Sequence, residues 1–376
     1  MSARTSKLFE PIQVGDLKLN HRVVLAPLLR LRANDKHVTI SELSSVYYSQ
    51  RASVPGSLLI SEATLIHPRA GGFSNVAALE TEEQLAAWKK VTYAVHEKKS
   101  YIFSQLWAPG RAANPDILES EGFPYVAASD IPLGNKPKPR PLTSAEIREY
   151  VQFFATAAAN AVDRAGFDGV EIHGANGYLI DQFLQDVSNN RTDEYGGSIE
   201  NRVRFALEVI DAVVKAVGQK KVGIRLSSWG TYGDMRMKDP IPTFKYYVSR
   251  IKELYPELAY IHVVEPRVSS NTDREAEKGE SNDFLREIWR PWPFISAGGY
   301  NRDVALEAAN RTGDLIAFGR YYISNPDLPL RLKANVPLTP YDRSLFYKKE
   351  SPIGYIDYTF GVGVDEELNK WGLRHH

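Results

Sequence analysis

Eight short apolar runs, each followed by a stretch of helical or turn character, constrain this chain more than any other feature of its sequence. They are Val23–Ala26, Ser57–Glu62, Tyr101–Leu106, Gly169–His173, Val222–Leu226, Ala259–Val264, Phe294–Ala297 and Leu315–Arg320. Helical stretches at Ser41–Arg51, Thr81–Lys98, Ser144–Ala165 and Ile199–Val217 separate the first five. Parallel strands read as near-continuous apolar runs because helices cover the sheet. Eight of them alternating with helices predict an α/β protein, a (β/α)8 TIM barrel. A doubly wound open sheet is the rival, and it usually shows a glycine-rich turn after its first strand. Here the first run passes into Ala26-Pro27-Leu28-Leu29 with no glycine, which favours the barrel. Leu8–Leu19 reads as two short strands around Gly15-Asp16, an N-terminal β-hairpin lid. Residues 1–376 are expected to form one domain, with a core at about 20–335 and a C-terminal extension, 336–376, contributing to the site.

Composition narrows the function classes. The 46 lysines and arginines cancel the 46 acidic residues, so nothing favours nucleic acid or an anionic membrane as partner. With no cysteine, disulfides, thiolate metal sites and cysteine-ligated clusters are excluded. No metal site is expected. Met1–Lys7 lacks the apolar core of a signal peptide. No run approaches the roughly 18 apolar residues that span a bilayer. The plain expectation is a cytoplasmic enzyme acting on small molecules, as a monomer or homodimer.

A barrel of this kind carries its active site at the carboxyl ends of its strands. The fourth run ends in Gly169-Val170-Glu171-Ile172-His173-Gly174-Ala175-Asn176-Gly177-Tyr178. Strand alternation puts Val170 and Ile172 on one face and Glu171 and His173 on the other. The glycines let the chain turn so that polar groups crowd one spot. His173 and Asn176 can donate to a single oxygen, and Tyr178 brings a phenolic proton beside them. The alternative is a strand-end turn with a capped loop. Gly298-Gly299 and Gly319-Arg320 follow strands seven and eight, where barrels commonly hold a phosphate; tight turns would use the same glycines. Gln105 can read a ring edge with donor and acceptor. Arg225 ends an apolar strand and needs an anionic or electron-rich partner, which Glu171 could also supply. With Ala26, Pro27, Leu28, Leu29 and Ala63 at the first two strand ends, these parts describe a pocket for a flat, hydrogen-bonding ring with a phosphate tail. Flavin mononucleotide suits it better than a dinucleotide.

The chain resembles the Old Yellow Enzyme family of flavin-dependent ene reductases, as a fungal-type member, from about Leu8 to Tyr358. The resemblance is carried by His21-Arg22, Ala26-Pro27-Leu28-Leu29-Arg30, Tyr48-Ser49-Gln50-Arg51-Ala52 and Ser104-Gln105-Leu106-Trp107. It continues through Asp168–His173, Asn176–Leu179, the long and specific run Arg191–Arg202, Phe318-Gly319-Arg320 and Asn325–Leu328. It implies bound FMN, reduced by NADPH or NADH, and reduction of the C=C bond of α,β-unsaturated carbonyl compounds. Gln105 is implied at the flavin pyrimidine, Arg225 near flavin N1 and O2, and Gly298, Gly299, Gly319 and Arg320 at the phosphate. His173 and Asn176 match the pair that grips the substrate oxygen, and Tyr178 the proton donor. Phe73, Trp107, Tyr232 and Tyr347 match positions lining the substrate side.

Two departures stand out. Leu29 occupies a position usually held by threonine, whose side chain lies beside flavin N5 and O4. Leucine cannot donate there, so a flavin somewhat harder to reduce is expected. The loop Val268–Ser281 lacks the aromatic cap of many relatives and reads as a polar, solvated, mobile lid. Segment 227–239, with Trp229, Tyr232, Met235 and Met237, is then the expected hydrophobic wall, core packing being the alternative. Two other activities suit the same residues: a desaturase or double-bond isomerase of secondary metabolism, and, more remotely, a flavin-free hydrolase using Glu171 and Glu265 as paired carboxylates.

Overall fold

The computed structural model describes residues 6–270 and 272–361. Eight parallel strands close a barrel in chain order: Val23–Leu25, Leu58–Leu65, Tyr101–Trp107, Gly169–Gly174, Val222–Leu226, Tyr260–Val264, Phe294–Ala297 and Leu315–Phe318. Helices return the chain between them, among them Ser41–Arg51, Glu82–His96, Ile199–Val217 and Ile241–Leu254. Two of these starts are fixed by capping boxes, Thr81 with Gln84 and Thr143 with Glu146, each satisfying backbone N–H groups reciprocally. The helix expected over Ser144–Ala165 is α-helical to Ala159 and widens into a π-turn at Asn160–Arg164. There the Asn160 amide donates to the Leu79 carbonyl at 2.9 Å.

Alternation along the strands builds the core. Val170, Ile172, Ile224, Ile261 and Val263 pack outward under the helices, while Val24, Leu58, Phe103, Tyr260, Ile295 and Leu315 fill the barrel. The expected hairpin is present as Ile12–Val14 paired with Leu17–Leu19. Its Val14 and Leu19 join that interior cluster, so the hairpin plugs the barrel.

The same parity turns Gln105, Glu171, His173, Arg225 and His262 into the barrel near its carboxyl end. Gln105 lies opposite Glu171 in the register, and Arg225 lies opposite both His173 and His262. In the second strand the register shifts between Ile60 and Ala63.

The C-terminal extension is bound to this framework by buried arginines. Arg32 donates to the carbonyls of Leu345, Phe346, Ser351 and Ile353. Arg30 donates to those of Phe346 and Gly354, and Tyr355 stacks on Tyr47 at 4.1 Å. Residues 362–376, the rest of the extension expected near the site, lie outside the described residues, as do Met1–Thr5 and Asn271 of the polar loop. Among the described residues no helix is long and apolar enough to cross a membrane.

Candidate active site

A cavity of about 350 Å³ opens at the carboxyl ends of the barrel strands. Most residues singled out from the sequence line it: Ala26, Pro27, Leu28, Leu29, Ala63, Gln105, His173, Asn176, Tyr178, Arg225, Gly298, Gly299, Gly319, Arg320 and Tyr347. Phe73, Trp107 and Tyr232, expected on the substrate side, are not on its wall. Trp107 is fully buried and backs Tyr178 edge-on at 5.1 Å, and Phe73 backs Trp107 at 4.9 Å. Tyr232 is 45% exposed, outside the lining.

The turn after strand four presents three polar groups. Burial, with the nearby charges of Arg225 and His262, holds His173 well below its ordinary pKa, so the ring is neutral. Its Nδ1 accepts from the Ala175 amide at 3.3 Å, which leaves the proton on Nε2. Tyr178 packs edge-on against this imidazole at 4.9 Å. Burial pushes its hydroxyl far above the usual phenol range, so it keeps its proton at neutral pH. Asn176 adopts φ +56°, a conformation rare outside glycine.

Beneath these groups lies a buried polar network. Glu171 accepts from Gln105 Nε2 and from His262 Nδ1, each at 2.8 Å. Burial alone would raise the Glu171 pKa; His262, Arg225 and the Gln105 amide overcome it and hold the carboxylate ionised. Arg225 makes no ion pair or hydrogen bond among the described residues, and its Nε is buried without a partner. The pairing of Arg225 with Glu171 that the sequence allowed is therefore not made. An unpaired guanidinium facing a cavity calls for an anionic or electron-rich ligand.

At the other end, Gly298 has φ +123° and a Cβ there would meet Val268 at 2.7 Å, so glycine is required on conformational and steric grounds together. Arg320 Nη1 donates to Asp273 at 2.7 Å and to the Tyr341 hydroxyl at 3.2 Å. Asp273 and Tyr341, both on the cavity wall, had no distinguishing mark in the sequence. Each reaches Arg320 from a separate loop.

The hydrophobic wall expected at 227–239 is overturned, whereas the polar loop is solvated as expected, with Thr272, Asp273 and residues 275–279 exposed. The polar residues of 268–281 serve as cross-links to 227–239. Arg236 and Arg274 both bind Glu280, Trp229 Nε1 donates to Ser281 O at 3.0 Å, and Thr231 meets Ser269 at 2.9 Å. Trp229, Met235 and Met237 are buried under this network and none reaches the cavity, so they are core packing. The carboxylate pair of a hydrolase is not assembled either. Glu171 is engaged as above, while Glu265 accepts from Ser296 at 2.6 Å and from Arg286 and Asn282 at 3.3 Å. Neither lines the cavity.

The family model for "NADH:flavin oxidoreductase / NADH oxidase family" matches residues 7–339. A chanoclavine-I aldehyde reductase of Penicillium roqueforti is 49% identical over 369 residues, covering 96% of this chain and 99% of that protein. An NADP-dependent oxidoreductase of Aspergillus flavus is 47% identical, covering 94% and 96%. A probable inactive dehydrogenase of Claviceps fusiformis is 46% identical, covering 95% of each chain. Among solved structures, Old Yellow Enzyme from a Pichia species superimposes with a TM-score of 0.87 at 40% identity, covering 96% of this chain and 95% of that one.

Proposed function

On the premise that this chain belongs to the NADH:flavin oxidoreductase / NADH oxidase family and is an Old Yellow Enzyme-like oxidoreductase, we propose that it is an FMN-dependent ene reductase. Its substrates are α,β-unsaturated carbonyl compounds and its electron donor is NAD(P)H. The observation that carries the reading is His173: a neutral imidazole with its donor proton on Nε2, on the wall shared with Asn176, Tyr178 and the unpartnered Arg225.

The residues fit FMN. Arg225 and Gln105 would hold the pyrimidine end of the ring, where a cation favours the anionic reduced form. Backbone N–H groups at Gly298, Gly299 and Gly319, with Arg320, would hold the phosphate. Asp273, which now binds Arg320, would share that arginine with the phosphate or yield it. When bound, the flavin would supply a hydride to the β-carbon of the substrate.

The protein side of the reaction follows from the site. His173 Nε2–H and the Asn176 amide donate to the carbonyl oxygen, which gains negative charge as the hydride arrives. Each such donor is worth roughly 3–4 kcal/mol in the transition state. Tyr178 gives its proton to the α-carbon and recovers one from solvent. Its raised pKa keeps that proton available across the physiological range. A positioned acid contributes roughly 10²–10⁴-fold. The name of the Penicillium relative supports an aldehyde as substrate, and that of the Aspergillus relative supports NADPH.

Purified protein should carry visible flavin absorbance that bleaches on anaerobic titration with NADPH and returns on adding 2-cyclohexen-1-one. A protein that takes up no FMN, or whose reduced flavin ignores a panel of enones and enals, would overturn the proposal.

A further inference from the structure

The groups that grip and protonate the substrate in the proposed reaction all lie on one turn, 173–178, with a non-glycine residue at positive φ in its middle. Such a conformation costs about 1 kcal/mol or more and persists only where its surroundings impose it. Among the groups that hold it are Gln182, whose Nε2 donates to the Gly177 carbonyl at 2.7 Å, and the carboxylate of Asp181. This carboxylate is fully buried at the third position of the short helix Leu179–Leu184, and it forms no ion pair among the described residues. Its Oδ2 accepts the Gly177 N–H at 2.9 Å, reaching back past the helix start as a capping-box acid does. Its Oδ1 accepts from Gln185 Nε2 at 2.8 Å. Ser227, whose Oγ accepts the Asn176 N–H at 2.7 Å, also faces it. The carboxylate thus holds Gly177 directly, next to Asn176, whose N–H is held by Ser227. Gln185 extends the hub, its Oε1 accepting from the backbone N–H of Arg236 at 3.0 Å.

Resting on the reading above, we propose that Asp181 is a positioning residue, which never touches substrate but sets the aim of His173, Asn176 and Tyr178. Burying a carboxylate outside an ion pair is costly, and a neutral residue would serve a merely structural helix start as well. The ionised form accepts one donor on each oxygen, Gly177 N–H on Oδ2 and Gln185 on Oδ1. The charged group facing it is Arg111, from the turn after strand three; Gln185 on its own helix, Ser227 after strand five and His173 on strand four are neutral. Burial pushes the Asp181 pKa up to about 6, against the pull of Gln185, Gly177 and Arg111. As pH falls through that value the acid gains a proton, turns from acceptor to donor, and releases the turn.

The test compares wild type, Asp181→Asn and Ser227→Ala, each loaded with FMN. For Asp181→Asn, turnover of 2-cyclohexen-1-one with NADPH should fall roughly 10²-fold, the loss expected from misplaced groups. FMN affinity, read by flavin fluorescence, should stay at the wild-type value, and the acid limb of the pH profile should vanish. Ser227→Ala should lose turnover less severely and keep the acid limb. Hydrogen–deuterium exchange of peptides spanning 173–184, in flavin-free protein, should accelerate in both variants. Asp181→Asn with wild-type turnover and pH profile, loss of FMN binding together with activity, or unchanged exchange in the turn would each overturn the inference. A wild type that exchanges as expected yet reduces no enone would count against the proposed function instead.

Discussion

Two side chains on the cavity wall separate chemistry from binding. Tyr178 is backed by Trp107, which Phe73 backs in turn, and faces His173, so removing only its oxygen leaves the packing intact. Tyr178→Phe should leave flavin reduction by NADPH near normal in stopped-flow traces while enone turnover drops roughly 10²–10⁴-fold. Normal turnover would exclude it as the acid. Leu29 lies on the same wall, in the apolar cluster that includes Trp107, Phe73 and Tyr178. It offers no hydrogen bond to a ring beside it. A donor regained in Leu29→Thr is worth about 1 kcal/mol, or about 20 mV at roughly 30 mV per 1.4 kcal/mol. The flavin midpoint potential should rise by that amount; no change, or a fall, would refute the account. The place of both residues on the cavity wall was legible from their positions after strand ends, because in a barrel every strand end points at one mouth.

At the scale of the element, the second strand carries a titrating group that alternation alone does not place. The register shift between Ile60 and Ala63 leaves Ala63 on the cavity wall and Glu62 fully buried. Burial raises the Glu62 pKa from 4.5 to about 7, although Arg30 and Arg32 pull it down. Between those values the folded chain holds a proton that the unfolded chain has lost. This contribution to stability is greatest below the unfolded pKa and declines as pH rises to about 7. Glu62→Gln should abolish that slope, giving a higher Tm than wild type on the alkaline side and convergence in acid. A Tm difference independent of pH would remove Glu62 as the cause. Loops behaved differently from strands. The polar run 268–281 reads as solvated, since no local periodicity marks its partners, yet Glu280 gathers arginines from two loops and closes the surface over Trp229.

Across the whole molecule, the C-terminal extension completes the cavity by contributing Tyr341, Phe346 and Tyr347, and Arg32 holds it there through four of its carbonyls. Replacing Arg32 by methionine preserves length but leaves these carbonyls, of which Phe346 O is buried, without their donor, at a cost of about 1–3 kcal/mol. Denaturant unfolding should register the loss, and limited proteolysis should cut near residue 350 before the barrel opens. Wild-type resistance to the protease would show that the segment is held by other contacts.

The sequence by itself determined the barrel, the identity of its strands and most of the strand-end residues gathered at its mouth. Apolar periodicity and strand polarity are local properties, and closure of the barrel then brings the strand ends together. Tertiary structure alone decided the pairings. Glu171 binds Gln105 and His262 and leaves Arg225 open, Asp273 crosses from a surface loop to Arg320, and Trp229 and Met237 are buried where a cavity wall was expected. Each choice depends on the register between strands or on loops far apart in the chain, and a partner selected across such a distance leaves no periodic trace around either residue.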